Sequence, residues 1–523
     1  MTTRIFVPGR SWSRREFLVA GGAFAAWPQL AAPQSALARR RIALKDYPFQ
    51  LGVASGDPVP EGFVIWTRLA PEPLTGGGMP SENVEVDWHV SLDERFKQIV
   101  ARGTAIAAPE LAHSVHVEVD GLEPGRWYWY QFSASGETSP IGRARTAPPA
   151  DDVPQRLRFA FASCQHYEQG LFTAYEHMAR EELDLIVHLG DYIYEYGAKE
   201  KLVRKHVGPE CITLDEYRNR HAQYKTDEHL RAAHAICPWL VTWDDHEFDN
   251  DYSNDVSEEA GVDPKLFLSR RARAYQAYYE HMPLRRAQVP MGPEMLLYRR
   301  ASFGCLAQFA ILDERQYRTD QPGGGKNVPP PPEALDPKAT LLGDKQEQWL
   351  YATLSASPAR WNVLAQGVMM ARVDRKPGDE VGYSMDQWPG YEANRQRMLR
   401  YFADHRPSNP VVITGDIHSN WVNDLQVGPG DAKSPIVATE FVGTSISSGG
   451  NGSQTGKDTE GVLAENPFVR FYNRERGYVS CEVTPERWTS HYRVVEDITK
   501  PGAPLVTRKS FIVESGRCGV QDA

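Results

Sequence analysis

The sequence has no apolar stretch long enough to cross a bilayer, few cysteines and no excess of basic residues. The apolar run near the N-terminus extends only from Phe17 to Trp27, whereas a transmembrane helix needs about 20 apolar residues. The 58 lysines and arginines are outnumbered by 68 aspartates and glutamates, so the formal net charge is −10. Because phosphate backbones favour basic stripes, this balance argues against nucleic acid as an obligate partner.

The first 38 residues are typical of an export signal. Arg14 and Arg15 precede the apolar run, and Ala36-Leu37-Ala38 fits a small-residue cleavage site. This context resembles the twin-arginine signal. It predicts a signal peptide over 1–38, cleavage after Ala38, the twin-arginine translocase as a partner during export, and a periplasmic or secreted mature protein. The alternative is the basic amphipathic N-terminus of a cytosolic protein.

All the cysteines follow this leader. An oxidising compartment permits disulfides, although their connectivity cannot be read from sequence. Cys211–Cys237 is one candidate bridge, and Cys164 is reserved from pairing because of the chemistry around it. The six residues are Cys164, Cys211, Cys237, Cys305, Cys481 and Cys518.

The pattern of the chain changes near residue 150, which indicates two domains. Residues 47–146 alternate apolar and polar positions between Gly and Pro turns, which predicts a small all-β sandwich. The run from Leu122 to Tyr130 resembles the tyrosine-corner strand of fibronectin type III domains. From residue 157 to 515, apolar strands alternate with helical stretches, which predicts an α/β domain. Two long loops, Gln321–Pro337 and Ser445–Gly461, are either lids over a site or disordered.

In this second part, four apolar runs are each followed by residues of types that bind metals. Such runs predict buried strands, and α/β folds place their sites at the ends of these strands. The runs and the residues that follow them are Leu157–Ala162 before Cys164, Leu185–Leu189 before Asp191 and Tyr194, Pro238–Thr242 before Asp244, Asp245 and His246, and Asn409–Thr414 before Asp416 and His418. Each residue alone has an ordinary structural explanation, but four such strand ends in one domain predict a metal site.

The nature of these ligands indicates two different metals. Thiolate and phenolate together suit ferric iron, whereas the carboxylate-rich remainder favours Ca²⁺, Mg²⁺ or Mn²⁺ over Zn²⁺. A carboxylate between two sites can bridge ions about 3.5–4 Å apart, as in two-metal phosphoesterases. Asp191 is predicted to be that bridge.

Taken together, these motifs resemble the PhoD-like alkaline phosphatases, whose metal site is similar to that of purple acid phosphatases. The resemblance spans nearly the whole mature chain, with the small N-terminal sandwich, and extends to the leader. It implies a metallophosphoesterase-type central β-sandwich flanked by helices and preceded by the small fibronectin-III/Ig-like sandwich. It also implies Fe³⁺ with one or two Ca²⁺ ions, with Mn²⁺ or Mg²⁺ as alternatives in the second site.

The resemblance assigns roles to individual residues. Cys164, Tyr194 and His418 would bind iron, Asp191 would bridge, and Asp245 and Asp416 would serve the second metal. His246 would steady or protonate the leaving oxygen. Asp244 is either a ligand or the partner of His246. Gln366, at the end of the predicted strand Trp361–Gly367, is the candidate for a histidine position of the wider superfamily that has no other match here.

Other residues near these motifs each allow two interpretations. Arg315 and Arg318 either clamp phosphate or form ion pairs. Asn250 and Asp251 either help to hold the second metal or do not, and His166 either orients substrate or has no role.

The implied reaction is in-line attack of a metal-bound hydroxide on phosphorus. The expected substrates are small-molecule, lipid or polymer phosphate esters, both monoesters and diesters. One alternative is a dedicated phosphodiesterase or phospholipase D-like enzyme acting on lipid or wall polymers. The other is a non-catalytic cell-surface protein with structural metals.

Overall fold

Two large β-sheets dominate the computed structural model, which describes residues 44–428 and 434–523. The predicted signal peptide, 1–38, lies outside the described residues. The strands are, in chain order, β1 (Val53–Val59), β2 (Gly62–Arg68), β3 (Val84–Ser91), β4 (Ile99–Ala107), β5 (Ser114–Val119), β6 (Trp127–Ala134), β7 (Glu137–Thr138), β8 (Gly142–Arg145), β9 (Leu157–Ala162), β10 (Leu185–Leu189), β11 (Trp239–Thr242), β12 (Arg299–Phe303), β13 (Ala307–Ile311), β14 (Asn327–Val328), β15 (Trp361–Ala365), β16 (Tyr383–Ser384), β17 (Pro410–Thr414), β18 (Asn420–Gln426), β19 (Ile436–Val442), β20 (Val469–Asn473), β21 (Arg476–Val483), β22 (Arg487–Val495), β23 (Leu505–Glu514) and β24 (Gln521–Asp522).

Helices connect the parallel strands of both sheets. Parallel neighbours need a crossover connection, and the helices lie in chain order between such strands or after them. Within the described residues, the α-helices are α1 (Thr173–Met178), α2 (Leu214–Lys225), α3 (Glu228–Ile236), α4 (Pro264–His281), α5 (Gly343–Ser355), α6 (Glu392–His405) and α7 (Thr459–Glu465). None of the helices in this part of the chain has the length and apolar character required to cross a membrane.

The first sheet has ten strands in the order β24-β23-β22-β21-β9-β10-β11-β1-β2-β5. Strands β9, β10, β11 and β1 are mutually parallel. The second sheet has seven strands in the order β12-β13-β15-β17-β19-β18-β20, of which β13, β15, β17 and β19 are parallel. A five-stranded antiparallel sheet (β3, β4, β6, β7 and β8) and the pair β14–β16 complete the pattern.

The two large sheets share one apolar core, and helices cover their other faces. Phe159 and Phe161 of β9 pack with Phe309 of β13 in the shared core. Ala160 and Ala162, which alternate with those phenylalanines, join the side chains of α1 to α4 instead. The second sheet packs its opposite face on α5, α6 and α7. Because both faces of the central strands are buried, their sequences are continuous apolar runs, and this confirms the mixed α/β prediction.

The N-terminal segment is all-β, but it is joined to the first large sheet. Strand β1 pairs in parallel with β11, with Gly56 opposite Trp239, and β2 and β5 continue the sheet beyond it. Only β3, β4, β6, β7 and β8 form a separate sheet. The domain boundaries 47–146 and 157–515 therefore remain a prediction, and the described residues belong to one compact unit.

The six cysteines are all free thiols. The candidate Cys211–Cys237 bridge is therefore wrong for this structure. Both side chains are buried in the helix-side core among apolar residues, where thiols pack as small apolar groups.

Candidate metal centre

The strand ends of both large sheets meet at one place. Strands β9, β10 and β11 are parallel neighbours, so the residues that follow them emerge at the same edge. Strand β17 belongs to the other sheet, yet a Cβ on Gly415 at its end would lie 2.2 Å from the Ser163 hydroxyl. A Cβ on Gly190 would lie 2.5 Å from the Asp244 backbone nitrogen. The absence of side chains at these two positions lets the strand ends approach each other.

Four of the predicted metal ligands have a left-handed backbone. Their φ angles are 57° at Cys164, 56° at Asp191, 61° at Asp416 and 53° at His418. Such conformations cost about 1–3 kcal/mol each in non-glycine residues and persist where the surroundings impose them, often at functional sites. All four lie two to four residues beyond the end of a buried strand, so the core fixes the chain just before them.

Two groups of ligand atoms share the Asp191 carboxylate. In the first group, one atom each of Cys164, Asp191 and His418 lies within 4.8 Å of the others. In the second group, the same holds for Asp191, Asp245 and His246. A carboxylate common to two adjacent groups has the position required to bridge two cations.

Tyr194 completes the first group. Its hydroxyl donates to Asp191 Oδ2 at 2.8 Å, lies 3.3 Å from His418 Nε2 and accepts a hydrogen bond from Ser448 at 2.7 Å. Burial and the nearby Asp191 raise the pKa of both Tyr194 and Cys164 well above their ordinary values. A thiolate and a phenolate at this position therefore need a cation to stabilise them.

Buried carboxylate oxygens that accept no hydrogen bond make the same point for the aspartates in and beside the second group. Asp191 Oδ1, Asp244 Oδ2 and Asp245 Oδ1 are buried, and no hydrogen bond reaches them in the described structure. An unpaired buried charge costs several kcal/mol. The donor set therefore fits metal cations, with a soft side at Cys164 and a hard side at the aspartates.

Glu247 holds two of the strand ends together. Its carboxylate accepts hydrogen bonds from the backbone nitrogens of Asp191 at 3.1 Å, Tyr192 at 2.6 Å and Asp244 at 2.9 Å. Burial raises the pKa of Glu247 to about 8, against the effect of these hydrogen bonds. One side chain thus fixes the turns after both β10 and β11.

His246 lies against the first group and is held by an acid. Its Nδ1 is 2.8 Å from Glu195 Oε2, and its ring lies 4.0 Å from that of Tyr194. Burial alone would lower the pKa of His246, but Glu195 and Asp245 raise it well above the ordinary value. An imidazole paired with a carboxylate in this way is suited to hold and transfer a proton.

Asp244 and Asp416 lie beside the two groups with other partners. Asp244 accepts from Arg315, and burial raises its pKa to about 6. The half-buried Asp416 accepts a hydrogen bond from Gln387 Nε2 at 2.8 Å. Each keeps a second carboxylate oxygen that this bond does not use.

Arg315 is committed to carboxylates in this structure. Its guanidinium binds both oxygens of Asp386 at 2.8 and 2.9 Å, and Nη2 lies 3.8 Å from Asp245 Oδ1. Together with its bond to Asp244, these contacts use the fork of a fully buried side chain. Arg318 is likewise buried and pairs with Asp386 at 2.7 Å. The ion-pair interpretation describes both arginines here.

Four further candidates from the sequence, Asn250, Asp251, His166 and Gln366, have different contacts. Asn250 and Asp251 use their backbone nitrogens to hold Glu195 at 3.0 Å and Asp245 at 2.7 Å. The His166 ring lies 4.4 Å from that of Tyr194, and its Nε2 is buried without a partner. Gln366 is fully buried and donates to Val368 O.

Sequence reasoning missed several residues of the centre. Asp386 and Gln387 come from the irregular segment before α6, Ser448 from a long polar loop, and Glu195 from the turn after Tyr194. None follows an apolar strand directly. The only available signal was the density of polar side chains in segments that the fold nevertheless buries.

Comparisons with known proteins agree with this geometry. A family profile described as "PhoD-like phosphatase" matches residues 159–492, and one described as "PhoD-like phosphatase, N-terminal domain" matches residues 34–148. Alkaline phosphatase D of Bacillus subtilis (strain 168) is 52% identical over 481 residues, which covers 91% of this chain and 82% of that protein. A solved structure described as "Structure of PhoD" superposes with a TM-score of 0.90 at 51% identity, covering 92% of this chain and 93% of that chain.

These similarities decide between the classes of protein that the sequence allowed. The profile of the enzyme domain spans more than half of the chain, and the similarity to a phosphatase extends over nearly all of it. The alternative of a non-catalytic surface protein is therefore wrong. The chain belongs to the PhoD-like phosphatase family, and it is an enzyme.

Proposed function

We propose that this enzyme is an exported, metal-dependent phosphatase that hydrolyses phosphate monoesters and diesters at a centre of at least two cations. The observation that carries the proposal is the Asp191 carboxylate, which both ligand groups share. We also propose that the two packed sheets form a metallophosphoesterase-type sandwich and that residues 47–146 form a fibronectin-like sandwich.

The residues divide between two kinds of cation. Cys164, Tyr194 and His418, with one oxygen of Asp191, would hold Fe³⁺ because they combine thiolate, phenolate and imidazole. Burial lowers the pKa of His418 to about 3, so its imidazole is neutral, as a ligand must be.

The carboxylates would hold the second kind of cation. Asp191, Asp245, Asp244 and Asp416 offer hard oxygen donors suited to one or two Ca²⁺ ions, or to Mn²⁺ or Mg²⁺. When bound, such cations neutralise phosphate charge and activate water.

The chain's own residues supply a proton and hold the geometry. His246, held by Glu195 at 2.8 Å, would protonate the leaving oxygen. Arg315 would act as a positioning residue, because its guanidinium holds Asp244 and Asp386 in fixed orientations. Ser448 would orient Tyr194 through its 2.7 Å hydrogen bond.

Metal analysis of the exported protein tests the assignment independently of turnover. We expect iron and calcium in the purified protein and a visible absorption band from the Tyr194 phenolate on iron. Tyr194→Phe should remove the band, and Tyr196→Phe, the neighbouring phenol that faces His246, should retain it. A colourless protein that is fully active with zinc alone would contradict the iron assignment.

Substrate and export are tested separately. Initial rates on p-nitrophenyl phosphate and bis-p-nitrophenyl phosphate should both be measurable, and a preference for the diester by orders of magnitude would contradict monoesterase activity.

Replacing Arg14 and Arg15 together by lysine should retain the precursor inside the cell. Normal secretion of that variant would contradict the twin-arginine route.

A further inference from the structure

A buried arginine, Arg476, joins three segments of the chain beside the candidate metal centre. It lies at the start of β21 and is only 4% exposed. Its guanidinium donates hydrogen bonds to His418 O at 2.7 Å, Gly450 O at 2.7 Å, Arg474 O at 2.8 Å, Gly449 O at 3.3 Å and Thr444 Oγ1 at 3.4 Å. These acceptors are neutral, so the rigid planar fork fixes chain segments relative to each other instead of compensating an acid.

One of these segments contains the predicted metal ligand His418. Its φ angle of 53° is left-handed, and its Nε2 lies 3.3 Å from the Tyr194 hydroxyl. A non-glycine residue keeps such a conformation only where its surroundings impose it. The hydrogen bond from Arg476 to the His418 carbonyl is one such constraint, and it acts on the backbone that orients the imidazole.

Another segment contains Ser448, which directly precedes the two glycines of the long polar loop that the guanidinium binds. The Ser448 hydroxyl lies 2.7 Å from the Tyr194 hydroxyl and 2.7 Å from Cys164 O. Arg476 is thus connected to two predicted iron ligands through the loop. It is connected to the third through the His418 carbonyl.

Glycines let the loop approach the guanidinium closely. A Cβ on Gly449 would lie 2.6 Å from Arg476 Nη2, and a Cβ on Gly452 would lie 3.1 Å from Arg476 Cζ. Residues 451–455 are exposed, and the side chains of Gln169 and Asp497 also bind the loop. Arg476 is therefore the buried attachment that links the loop to the metal centre.

We propose that Arg476 is a positioning residue of the metal centre. It fastens the loop to the chain at His418 and thereby fixes the hydrogen bond between Ser448 and the Tyr194 oxygen. The proposal rests on the proposed iron site, and it adds that the loop and the iron ligands are coupled through this side chain.

The visible spectrum tests this coupling through the Tyr194 phenolate. A hydrogen bond from Ser448 stabilises the phenolate, so charge transfer from it to Fe³⁺ requires more energy. We expect Arg476→Gln and Ser448→Ala to move the absorption band to longer wavelength by similar amounts. The double variant should show no larger shift, because both substitutions remove the same hydrogen bond. Additive shifts in the double variant, or a wild-type band in Arg476→Gln, would overturn the proposal.

Two further variants separate the hydrogen bonds from the charge. Arg476→Lys keeps the charge without the planar fork, so its band should shift as in Arg476→Gln, and a wild-type band would overturn a role of the hydrogen bonds. Arg470→Gln is the matched control, because Arg470 lies on β20 and pairs with Asp424 at 2.5 Å. Its band should match the wild type, and an equal shift there would overturn the specific role of Arg476.

Hydrogen exchange of the purified protein tests the attachment independently of iron. Backbone amides of residues 449–456 should exchange about tenfold faster in Arg476→Gln than in the wild type, with unchanged circular dichroism. If Arg476→Gln does not fold, Gly449→Ala takes its place, because the added methyl group would displace the guanidinium. Gly450→Ala is then the control, since its φ is also left-handed and a Cβ there meets nothing within 4 Å.

The outcomes of this experiment are separate from those of the iron assignment. Equal exchange in Arg476→Gln and the wild type, or in Gly449→Ala and Gly450→Ala, would overturn the attachment while leaving the phosphatase function intact. A wild-type protein without a phenolate band would contradict the iron assignment instead, and the exchange rates would still decide whether Arg476 fastens the loop.

Discussion

At the scale of single residues, Arg315 shows how the centre stabilises its acids. It is fully buried and contacts Asp244, Asp386 and, at longer range, Asp245. Buried ion pairs contribute little net stability, but removing one partner leaves the other charge uncompensated. The arginine is therefore more important for the orientation of the carboxylates than for their attraction to it.

Arg315→Lys should lower the affinity for the second cation, reduce kcat and destabilise the fold by about 3 kcal/mol. A lysine carries the charge but cannot span Asp244 and Asp386 with a planar fork. Metal content, kcat and KM are measured together. Arg299→Lys is the control, because Arg299 pairs with Asp57 outside the centre. A raised KM with unchanged metal content would instead support the phosphate-clamp alternative.

Lys225 is another buried cation, and among the described residues it forms no ion pair with an acid. Its Nζ lies 3.3 Å from His234 Nε2 and 4.5 Å from the centre of the Trp66 ring. Burial lowers the pKa of Lys225 to about 7. Folding therefore favours the neutral amine.

The stability contribution of Lys225 should rise with pH. Between pH 7 and 10.5 the unfolded chain binds more protons at this residue than the folded chain, so the free energy of unfolding increases across that interval. We expect the difference between wild type and Lys225→Met to change in favour of the wild type by a few kcal/mol between pH 7 and 10. Urea unfolding at several pH values measures it, and a pH-independent difference would contradict the lowered pKa.

Residues that directly follow buried strands could be predicted from the sequence. Cys164, Asp191 and His418 each stand next to an apolar run, and the geometry brings them together. Asp386 and Ser448 could not be predicted, because they come from irregular segments whose course depends on long-range packing. Arg315 was noticed, but its partners are 71 residues away in both directions along the chain, so its role as a clamp or an ion pair could not be decided.

At the scale of elements, the ends of β9 and β17 approach each other because one of them carries a glycine. A methyl group on Gly415 would overlap the Ser163 hydroxyl at 2.2 Å. Ser163 precedes Cys164, so any displacement would be transmitted directly to a predicted iron ligand.

Gly415→Ala should therefore lower both iron content and stability, the latter by about 1–3 kcal/mol as in other overpacked sites. Gly121→Ala is the control, since a Cβ there meets nothing within 4 Å. Its only expected cost in stability comes from the left-handed backbone, with a φ of +77°. Thermal unfolding and metal analysis of both variants provide the comparison. Equal iron contents in the two variants would show that the strand ends tolerate separation.

The central strands could be predicted at this scale, but the sheet order could not. Continuous apolar runs such as Leu185–Leu189 identify strands that are buried on both faces. The pairing of β1 with β11 joins segments about 180 residues apart in the chain, and local patterns contain no information on such a contact. The prediction of a sandwich over residues 47–146 therefore rests on local patterns alone.

At the scale of the whole molecule, the ten-stranded sheet joins the N-terminal segment to the enzyme domain. We expect calorimetry to show one cooperative transition, with equal van't Hoff and calorimetric enthalpies. The physical reason is that unfolding the N-terminal segment would expose the edge of β11. Two resolved transitions would instead support independent domains with the boundaries 47–146 and 157–515.

The protein has an excess of acidic residues, and four of them lie close together at the candidate metal centre: Asp191, Asp244, Asp245 and Asp416. One of these carboxylates, Asp191, is proposed to belong to two cation sites at once.

The most direct measurement is the content of each metal per chain in three purified variants. Cys164→Ser should lose iron selectively, Asp245→Asn should lose the second cation selectively, and Asp191→Asn should lose both. If Asp191→Asn retained either metal at the wild-type level, the two groups would not share a bridging ligand, and the account would be contradicted.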